Sequence, residues 1–453
     1  MAEKTIAAIA TASGEGALGV IRISGENAFS VADKIFFSFS GKKLSSLEGY
    51  RAAYGEIKDG NTVLDDAVAL VFRAPHSYTG EDTVEITIHG GRLMLKTVLR
   101  LILKNGADLA AAGEFTKRAF LNGKTDLTKA ESIMGLISAN SEAELRLSRG
   151  AHNGRISSKI AMIIDELVSA DASIAAFSDY PEEDIEGLSY ENFSKMLSAA
   201  KNDITEMLSS YDAGRVLREG IDTAIVGKPN VGKSTLMNML SGTDRSIVTD
   251  VAGTTRDVIE ETVTVGEVVL RLADTAGIHN TEDTVESIGV ERAKQRISTA
   301  QLVLAVFDCT SGIEADDIAL LEMLRPENTI IILNKTDVAG KISHPKLDGF
   351  KIVATSAKEG NGYGELSSAI AEISGVANLN AESVVLINER QRACAEKALD
   401  GVSEALAALE SGCTMDAVGI CVDDALAALF ELTGKRVTNE VCDEIFKKFC
   451  VGK

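Results

Sequence analysis

The stretch "IDTAIVGKPNVGKST" (221–235) constrains the fold more than any other part of the chain. It sets an apolar strand, 221–226, directly before a G-x-x-x-x-G-K-S loop, and that order predicts a helix opening at Lys233. A strand, a glycine-rich turn and a helix in sequence begin a mostly parallel α/β sheet. The glycines let backbone N–H groups converge on phosphate oxygens, and the helix N-terminus adds positive potential. Asn230, Val231, Gly232, Lys233, Ser234 and Thr235 therefore read as nucleotide-binding residues. Lys233 is expected to reach the β- and γ-phosphates, and Ser234 to ligand Mg²⁺.

Three further motifs follow at the spacing such a site needs. "VTDVAGTTRD" (248–257) supplies Thr249, Asp250, Val251, Ala252, Gly253 and Thr254 around the nucleotide, with Thr255 as a second magnesium ligand. Asp274, Thr275, Ala276 and Gly277 form a D-x-x-G that senses the metal and the γ-phosphate. "ILNKTD" gives Asn334, Lys335 and Asp337, and "ATSAKEG" adds Ser356, Ala357 and Lys358 over the base. The Asp337 carboxylate can accept both hydrogen bonds from guanine N1 and N2. Adenine lacks those donors and would leave the carboxylate unpaired, so the site selects GTP. The four motifs together predict GTP hydrolysis.

Ras-like enzymes place a water-orienting glutamine after the D-x-x-G. This chain has Ile278, which can orient nothing. Glu282, Asp283, Glu286 and Glu291 are the candidates for holding the water, and the residues alone do not choose among them. Positive charge must also meet the charge developing between the phosphates, a role in which an arginine finger contributes about 10³–10⁵ in rate. Asn230 suggests a substitute, because its side-chain oxygen can coordinate a potassium-sized ion beside the phosphates, with carbonyls of 249–254 completing the shell.

At 453 residues the chain is long enough for about three domains. The fold class expected is multidomain, α/β plus α. Residues 1–118 read as an α+β domain, with "GVIRISG", "RAAYGEI", "DAVALVFRAP" and "DTVEITIHGG" as strands. Residues 119–215 read as helical. In "RISSKIAMIIDELVSADASIAAF" the positions Ile156, Ile160, Ile163, Ile164, Leu167, Val168 and Ile174 make an apolar stripe, and "PEEDIEGLS" (181–189) interrupts it. The α/β domain spans 216–376, inserted between this segment and a second helical one, 377–453. Gly14, Gly16 and Gly19 form a G-x-G-x-x-G, but a strand pattern follows where a dinucleotide site needs a helix, so a tight hairpin is the better account.

Composition narrows the class further. A net charge of −21 argues against a surface built to grip nucleic acid non-specifically. The clusters "EFTKRAFLNGK" (114–124) and "ERQRACAEK" (389–397) are the places where a local basic patch is to be sought. Six scattered cysteines without C-x-x-C spacing suit reduced thiols in a cytosol. No run reaches the ~18 apolar residues of a membrane span. The opening "MAEKTIAAIATASGEG" reads as a strand, not a signal peptide.

"SYTGEDTVEITIHGG" (77–91), "GEFTKRAFLNGKTDLTKAE" (113–131), "GKPNVGKS", "TDVAGTTRD", "VESIG" and the closing "IFKKFCVGK" together resemble the tRNA-modification GTPases called MnmE or TrmE, over essentially the whole chain. The resemblance implies a cytoplasmic homodimer that works with a flavin-dependent partner, MnmG or GidA, in a heterotetramer in which the partner carries FAD. It implies modification of carbon 5 of the wobble uridine of certain tRNAs, and GTP hydrolysis stimulated by K⁺ when two G domains meet. Asn230, Thr249, Val251 and Thr254 match the potassium shell, and Glu286 matches the glutamate that positions the water. The first domain is implied to dimerise and to bind 5-formyltetrahydrofolate or a related tetrahydrofolate, with Arg22, Glu85, Lys124 and Lys453 at folate-contacting positions. Cys450 is implied to point toward that pocket. A C-a-a-X reading of "CVGK" is set aside, because Gly452 is not aliphatic.

Two other readings compete. A ribosome-assembly GTPase of the Era or EngA type also carries an apolar residue after the D-x-x-G, but the G-x-x-G loop of a KH module is missing from this sequence. A folate-sensing regulator with a GTPase timer is the third.

Overall fold

The computed structural model describes residues 4–12, 14–139, 141–179, 189–243, 261–272, 296–340, 342–380 and 382–452. The chain divides into two compact units, residues 1–134 with 426–453, and residues 135–425.

In the first unit, alternation of apolar and polar residues makes a seven-stranded sheet. Its strands are β1 (Ile6–Ile9), β2 (Leu18–Ser24), β3 (Phe36–Ser38), β4 (Arg51–Asp59), β5 (Thr62–Phe72), β6 (Thr83–His89) and β7 (Asp108–Leu109), in the order β3-β4-β5-β6-β2-β1-β7. Only the β1–β7 pair is parallel. One face carries Ile21, Ile23, Ala69, Val71, Val84 and Ile86 against Leu95, Val98 and Ile102 of the helix Arg92–Lys104. Because side chains alternate along a strand, the residues between them, Arg22 and Glu85 included, fall on the other face. The strand after Gly19 agrees with setting a dinucleotide site aside. The β1–β2 connection, residues 10–17, is longer than the tight turn expected. Helix Asn439–Phe446 closes this unit with Phe446 and Cys442 packed on Leu127 and Ala130.

In the second unit, β8 (Ile221–Val226), β9 (Glu261–Val265), β10 (Val268–Leu272), β11 (Leu302–Asp308), β12 (Thr329–Asn334) and β13 (Lys351–Ala354) order as β13-β12-β11-β8-β10-β9. All pairs are parallel except β9–β10. A parallel sheet is covered on both faces, so its strands read as unbroken apolar runs. Every residue of "TIIILN" in β12 is buried. Alternate residues feed two cores: Ile225, Leu304, Val306 and Ile332 meet Leu236 and Leu240 on one side. Ala224, Val226, Phe307 and Leu333 meet Leu320 and Leu321 on the other.

The long helices Arg155–Asp179, Tyr190–Glu219 and Glu389–Glu410 belong to the same unit. Ser189 caps the second through its hydroxyl, which accepts from the Asn192 N–H, and Asn388 caps the third on Gln391. Gly214 lets Val385 approach, since a Cβ there would lie 2.2 Å from Val385 Cγ1. Ser210 Oγ donates to the Val384 carbonyl at 2.8 Å beside this contact. The apolar stripe of the first helix holds for Ile156, Ile160, Ile163, Ile164, Leu167 and Ile174. Val168 does not join it and is 46% exposed. At 100° per residue it stands roughly 100° from the stripe's centre. The interruption at 181–189 lies, Ser189 apart, outside the described residues.

Candidate functional site

The phosphate loop leaves β8 at Gly227 and enters the helix Lys233–Thr243. Gly227 has φ 148, and a Cβ on it would meet the Val306 carbonyl oxygen at 2.4 Å, so the loop starts pressed against β11. Asn230 takes φ 64, a left-handed conformation in which asparagine is among the tolerated residues. Gly232 has φ 100, and a Cβ would lie 2.2 Å from Asn334 Nδ2. Inside this ring the Lys233 ammonium donates to the carbonyls of Gly227 at 2.8 Å and Lys228 at 2.7 Å. Burial holds its pKa below the usual lysine value. A half-buried ammonium resting on neutral carbonyls is a site for an anion of greater charge density. Val231 is buried, while Ser234 and Thr235 open the helix at the surface.

The base-recognition residues join this loop at the end of β12. Asn334, 3% exposed, donates from Nδ2 to the Val231 carbonyl at 2.9 Å and accepts at Oδ1 from the Ala357 N–H at 3.0 Å. Thr355 Oγ1 donates to the same oxygen at 3.3 Å. Lys335, at φ 64, reaches back to donate to the Asn230 carbonyl at 2.9 Å and to Asp308 Oδ2 at 2.5 Å. Ser356 Oγ donates to Asp337 Oδ1 at 2.7 Å. That hydrogen bond, with the Lys358 charge as a smaller cause, keeps the exposed Asp337 carboxyl below its usual range. The structure thus brings together Asn230, Val231, Gly232, Lys233, Asn334, Lys335, Asp337, Ser356, Ala357 and Lys358. Thr249, Asp250, Val251, Ala252, Gly253, Thr254, Thr255, Asp274, Thr275, Ala276, Gly277 and Glu286 lie outside the described residues, as does Lys453.

Sequence reasoning passed over Asp308. It ends the apolar run "LVLAVFD", where a carboxylate closing a buried strand beside the phosphate loop was the available signal. Its carboxylate also accepts from the Thr310 N–H and hydroxyl.

In the first unit, register sets Arg22 opposite Glu85, and the guanidinium donates to Glu85 Oε1 from both Nε and NH2 at 2.8 Å. The Tyr78 and Phe115 rings lie 5.1 and 5.4 Å from the Arg22 guanidinium carbon. Tyr78 is hydrogen-bonded to Thr116 at 2.8 Å, and burial raises its hydroxyl pKa. Lys124 donates to the Pro75 carbonyl at 2.9 Å, its stem packed on Gly80. Arg22, Glu85 and Lys124 therefore share the segment 75–80 as a flank. The tail runs along the same unit: Val451 bridges Ala112, and a Cβ on Gly452 would meet the Ile9 carbonyl at 2.3 Å. Cys450 is exposed.

In both basic clusters cations are paired with nearby carboxylates. Arg118 is 6% exposed between Glu81 and Glu114, and Lys117 pairs with Asp443 at 2.5 Å. In the second cluster Arg392 pairs with Glu396 at 2.9 Å and Glu389 at 3.5 Å. Among the described residues no helix is long and apolar enough to cross a membrane, and no cluster of His, Cys, Asp or Glu is arranged to hold a metal ion.

A family model described as the MnmE helical domain matches residues 127–450, and one described as the GTP-binding protein TrmE N-terminus matches residues 5–124. The tRNA modification GTPase MnmE of Clostridioides difficile (strain 630) is 40% identical over 456 residues, covering 100% of this chain and 99% of that protein. The MnmE proteins of Acetivibrio thermocellus and Listeria welshimeri are also 40% identical, over 460 and 455 residues. Those two alignments cover 100% and 99% of this chain, and 99% of each relative.

Proposed function

Because this chain belongs to the MnmE (TrmE) family of tRNA-modification GTPases, we propose that its GTP hydrolysis is potassium-activated and serves carbon 5 of the wobble uridine in certain tRNAs. The chain is a GTP hydrolase acting in tRNA modification, with an N-terminal domain, a helical domain and a P-loop GTPase domain. The observation that carries the reading is the Lys233 ammonium, held half-buried on two carbonyls at the mouth of a helix and joined through Asn334 to the base loop.

On binding GTP, Lys233 exchanges those carbonyls for the β- and γ-phosphates. Asn334 ties the phosphate loop to the base loop, so both halves of the nucleotide meet one rigid frame. Asp337, already ionised and oriented by Ser356, receives the guanine N1 and N2 donors. The donor set suits Mg²⁺, a hard cation, through the hydroxyls of Ser234 and Thr255 together with phosphate oxygens. Asn230, with its carbonyl held by Lys335, presents a surface side chain beside the phosphates, and Thr249, Val251 and Thr254 would complete a potassium site with it. These cations supply charge neutralisation between the phosphates. Glu286 orients the attacking water.

The proposal extends to a homodimer formed through residues 1–118, which bind 5-formyltetrahydrofolate or a related tetrahydrofolate by way of Arg22, Glu85, Lys124 and Lys453. It takes 119–215 and 377–453 as helical and 216–376 as the G domain. It includes a cytoplasmic heterotetramer with the FAD-carrying MnmG (GidA). Hydrolysis measured in KCl against NaCl tests the cation: a rise of about tenfold or more in KCl is expected for a finger replacement, and equal rates would remove it. Mass spectrometry of tRNA nucleosides after loss of the protein tests the substrate. Unchanged wobble uridines with altered ribosomal subunits would favour the Era-type alternative.

A further inference from the structure

Lys228, second residue of the phosphate loop, is the point where that loop is tied to the segment following β11. Its ammonium lies 2.6 Å from Glu314 Oε2 and 2.8 Å from Asp317 Oδ2. The two carboxylates differ in surroundings. The Glu314 side chain is 58% exposed, and a pair on so wet a rim contributes little. The Asp317 side chain is 2% exposed. Its Oδ2 also accepts from the Glu314 N–H at 3.0 Å, closing the first turn of the helix Ala315–Leu321. Its Oδ1 is buried with no hydrogen-bond partner among the described residues. A carboxylate in that position depends on Lys228 for its counter-charge, and removing one member of a buried pair strands the other.

The same residue acts on the site through its main chain. The Lys228 carbonyl is one of the two on which the Lys233 ammonium rests. Pro229 follows and disfavours helical backbone at Lys228, which limits how far the Lys228 carbonyl can swing. Gly227, on the other side, is fixed against the Val306 carbonyl.

Resting on the GTPase reading, we infer that Lys228 is a positioning residue. Paired with Asp317, it holds the phosphate loop concave, so that bound nucleotide is retained; Glu314 is a minor partner. Lys228 does not touch the nucleotide in this role. It fixes the peptide from which Lys233 moves. Burial lowers the Lys228 pKa and the hydrogen bonds to Asp317 and Glu314 raise it, with a net rise, so the clamp stays charged through the neutral range.

The test uses the full chain and release of a fluorescent GDP analogue by stopped flow, with steady-state hydrolysis alongside. Lys228→Met and Asp317→Asn are expected to speed GDP release about tenfold or more and to raise KM, leaving kcat within about twofold. Lys228→Arg restores retention, Glu314→Gln changes it by less than about twofold, and Lys228→Met with Asp317→Asn together is no worse than Lys228→Met alone. Should Asp317→Asn fold poorly, Lys228→Met and Lys228→Arg decide the matter. Release within twofold of the parent in Lys228→Met, with or without a lower melting temperature, overturns the inference. A parent protein that binds no guanine nucleotide overturns the GTPase reading and this inference with it.

Discussion

In the nucleotide loop the Lys233 ammonium lies on main-chain carbonyls, whereas in the N-terminal sheet the Arg22 guanidinium lies on the Glu85 carboxylate. The first arrangement gives way readily, because a phosphate offers full negative charge in place of two dipoles. The second is already neutral, so an anionic ligand there must compete with an ion pair whose side chains are 16% and 24% exposed. The reading of Arg22 and Glu85 as two separate contacts, one for a ligand tail and one for its ring, therefore meets a pair that faces itself. Two cationic residues of similar appearance in the sequence are in opposite states of readiness, and the difference lies in the protein groups each one contacts.

Breaking the frame of the nucleotide loop should produce the largest effect. Gly232→Ala forces a Cβ onto Asn334 Nδ2 at a φ of 100, so guanine-nucleotide affinity should fall by about a hundredfold or more. Calorimetric titration with GDP checks this, and retained affinity would mean that the loop and base motifs move independently. Asp337→Asn comes next. Loss of two charge-assisted hydrogen bonds should weaken GTP by about two orders of magnitude, and xanthosine triphosphate should recover it, since the new amide can donate to a 2-oxo group.

On the other side of the comparison, Arg22→Ala strands the half-buried Glu85 carboxylate. The N-terminal unit should lose about 1–3 kcal/mol of stability by denaturant titration. GTP hydrolysis at saturation should stay within about twofold. A large fall in hydrolysis would show that this pair serves the nucleotide site after all.

The smallest effect is a pH dependence. A lowered carboxyl pKa keeps its benefit above the ordinary value and loses it only as pH falls through the lowered one. The Asp337 contribution to GDP affinity, read as the ratio of parent to Asp337→Asn at each pH, should therefore stay flat from pH 8 to about pH 5, set against an ordinary carboxylate near 4. Ser356→Ala should move the acid limb upward, toward that ordinary range.

Legibility in the sequence followed the same division. The nucleotide site was readable because its residues sit in short contiguous loops at strand ends, where each side chain's role is set by neighbours one to five positions away. Asn334, Asp337 and Ser356 come together as those loops require. The apolar run before the phosphate loop likewise announced β8. What escaped was pairing across long separations. Arg22 meets Glu85 only through the β2–β6 register, and Arg118 meets Glu81 across β6, a helix and β7, so cations that looked available are already paired. Asp317 was invisible for a similar reason, and Asp308 left only its place at the end of an apolar strand as a clue. A carboxylate's burial beside a lysine depends on packing that no local pattern encodes.

The 30-residue helix Tyr190–Glu219 ends at Gly220, and β8 begins one residue later. Gly220 stands at φ 77, and a Cβ there would press on the Val269 carbonyl at 2.8 Å, so the joint has no slack. At 1.5 Å per residue the helix is a beam about 45 Å long, built directly onto the strand that carries the phosphate loop. A tilt of about 10° at the strand would sweep its far end through about 8 Å. A displacement too small to notice at a phosphate would there become a stroke the length of a side chain.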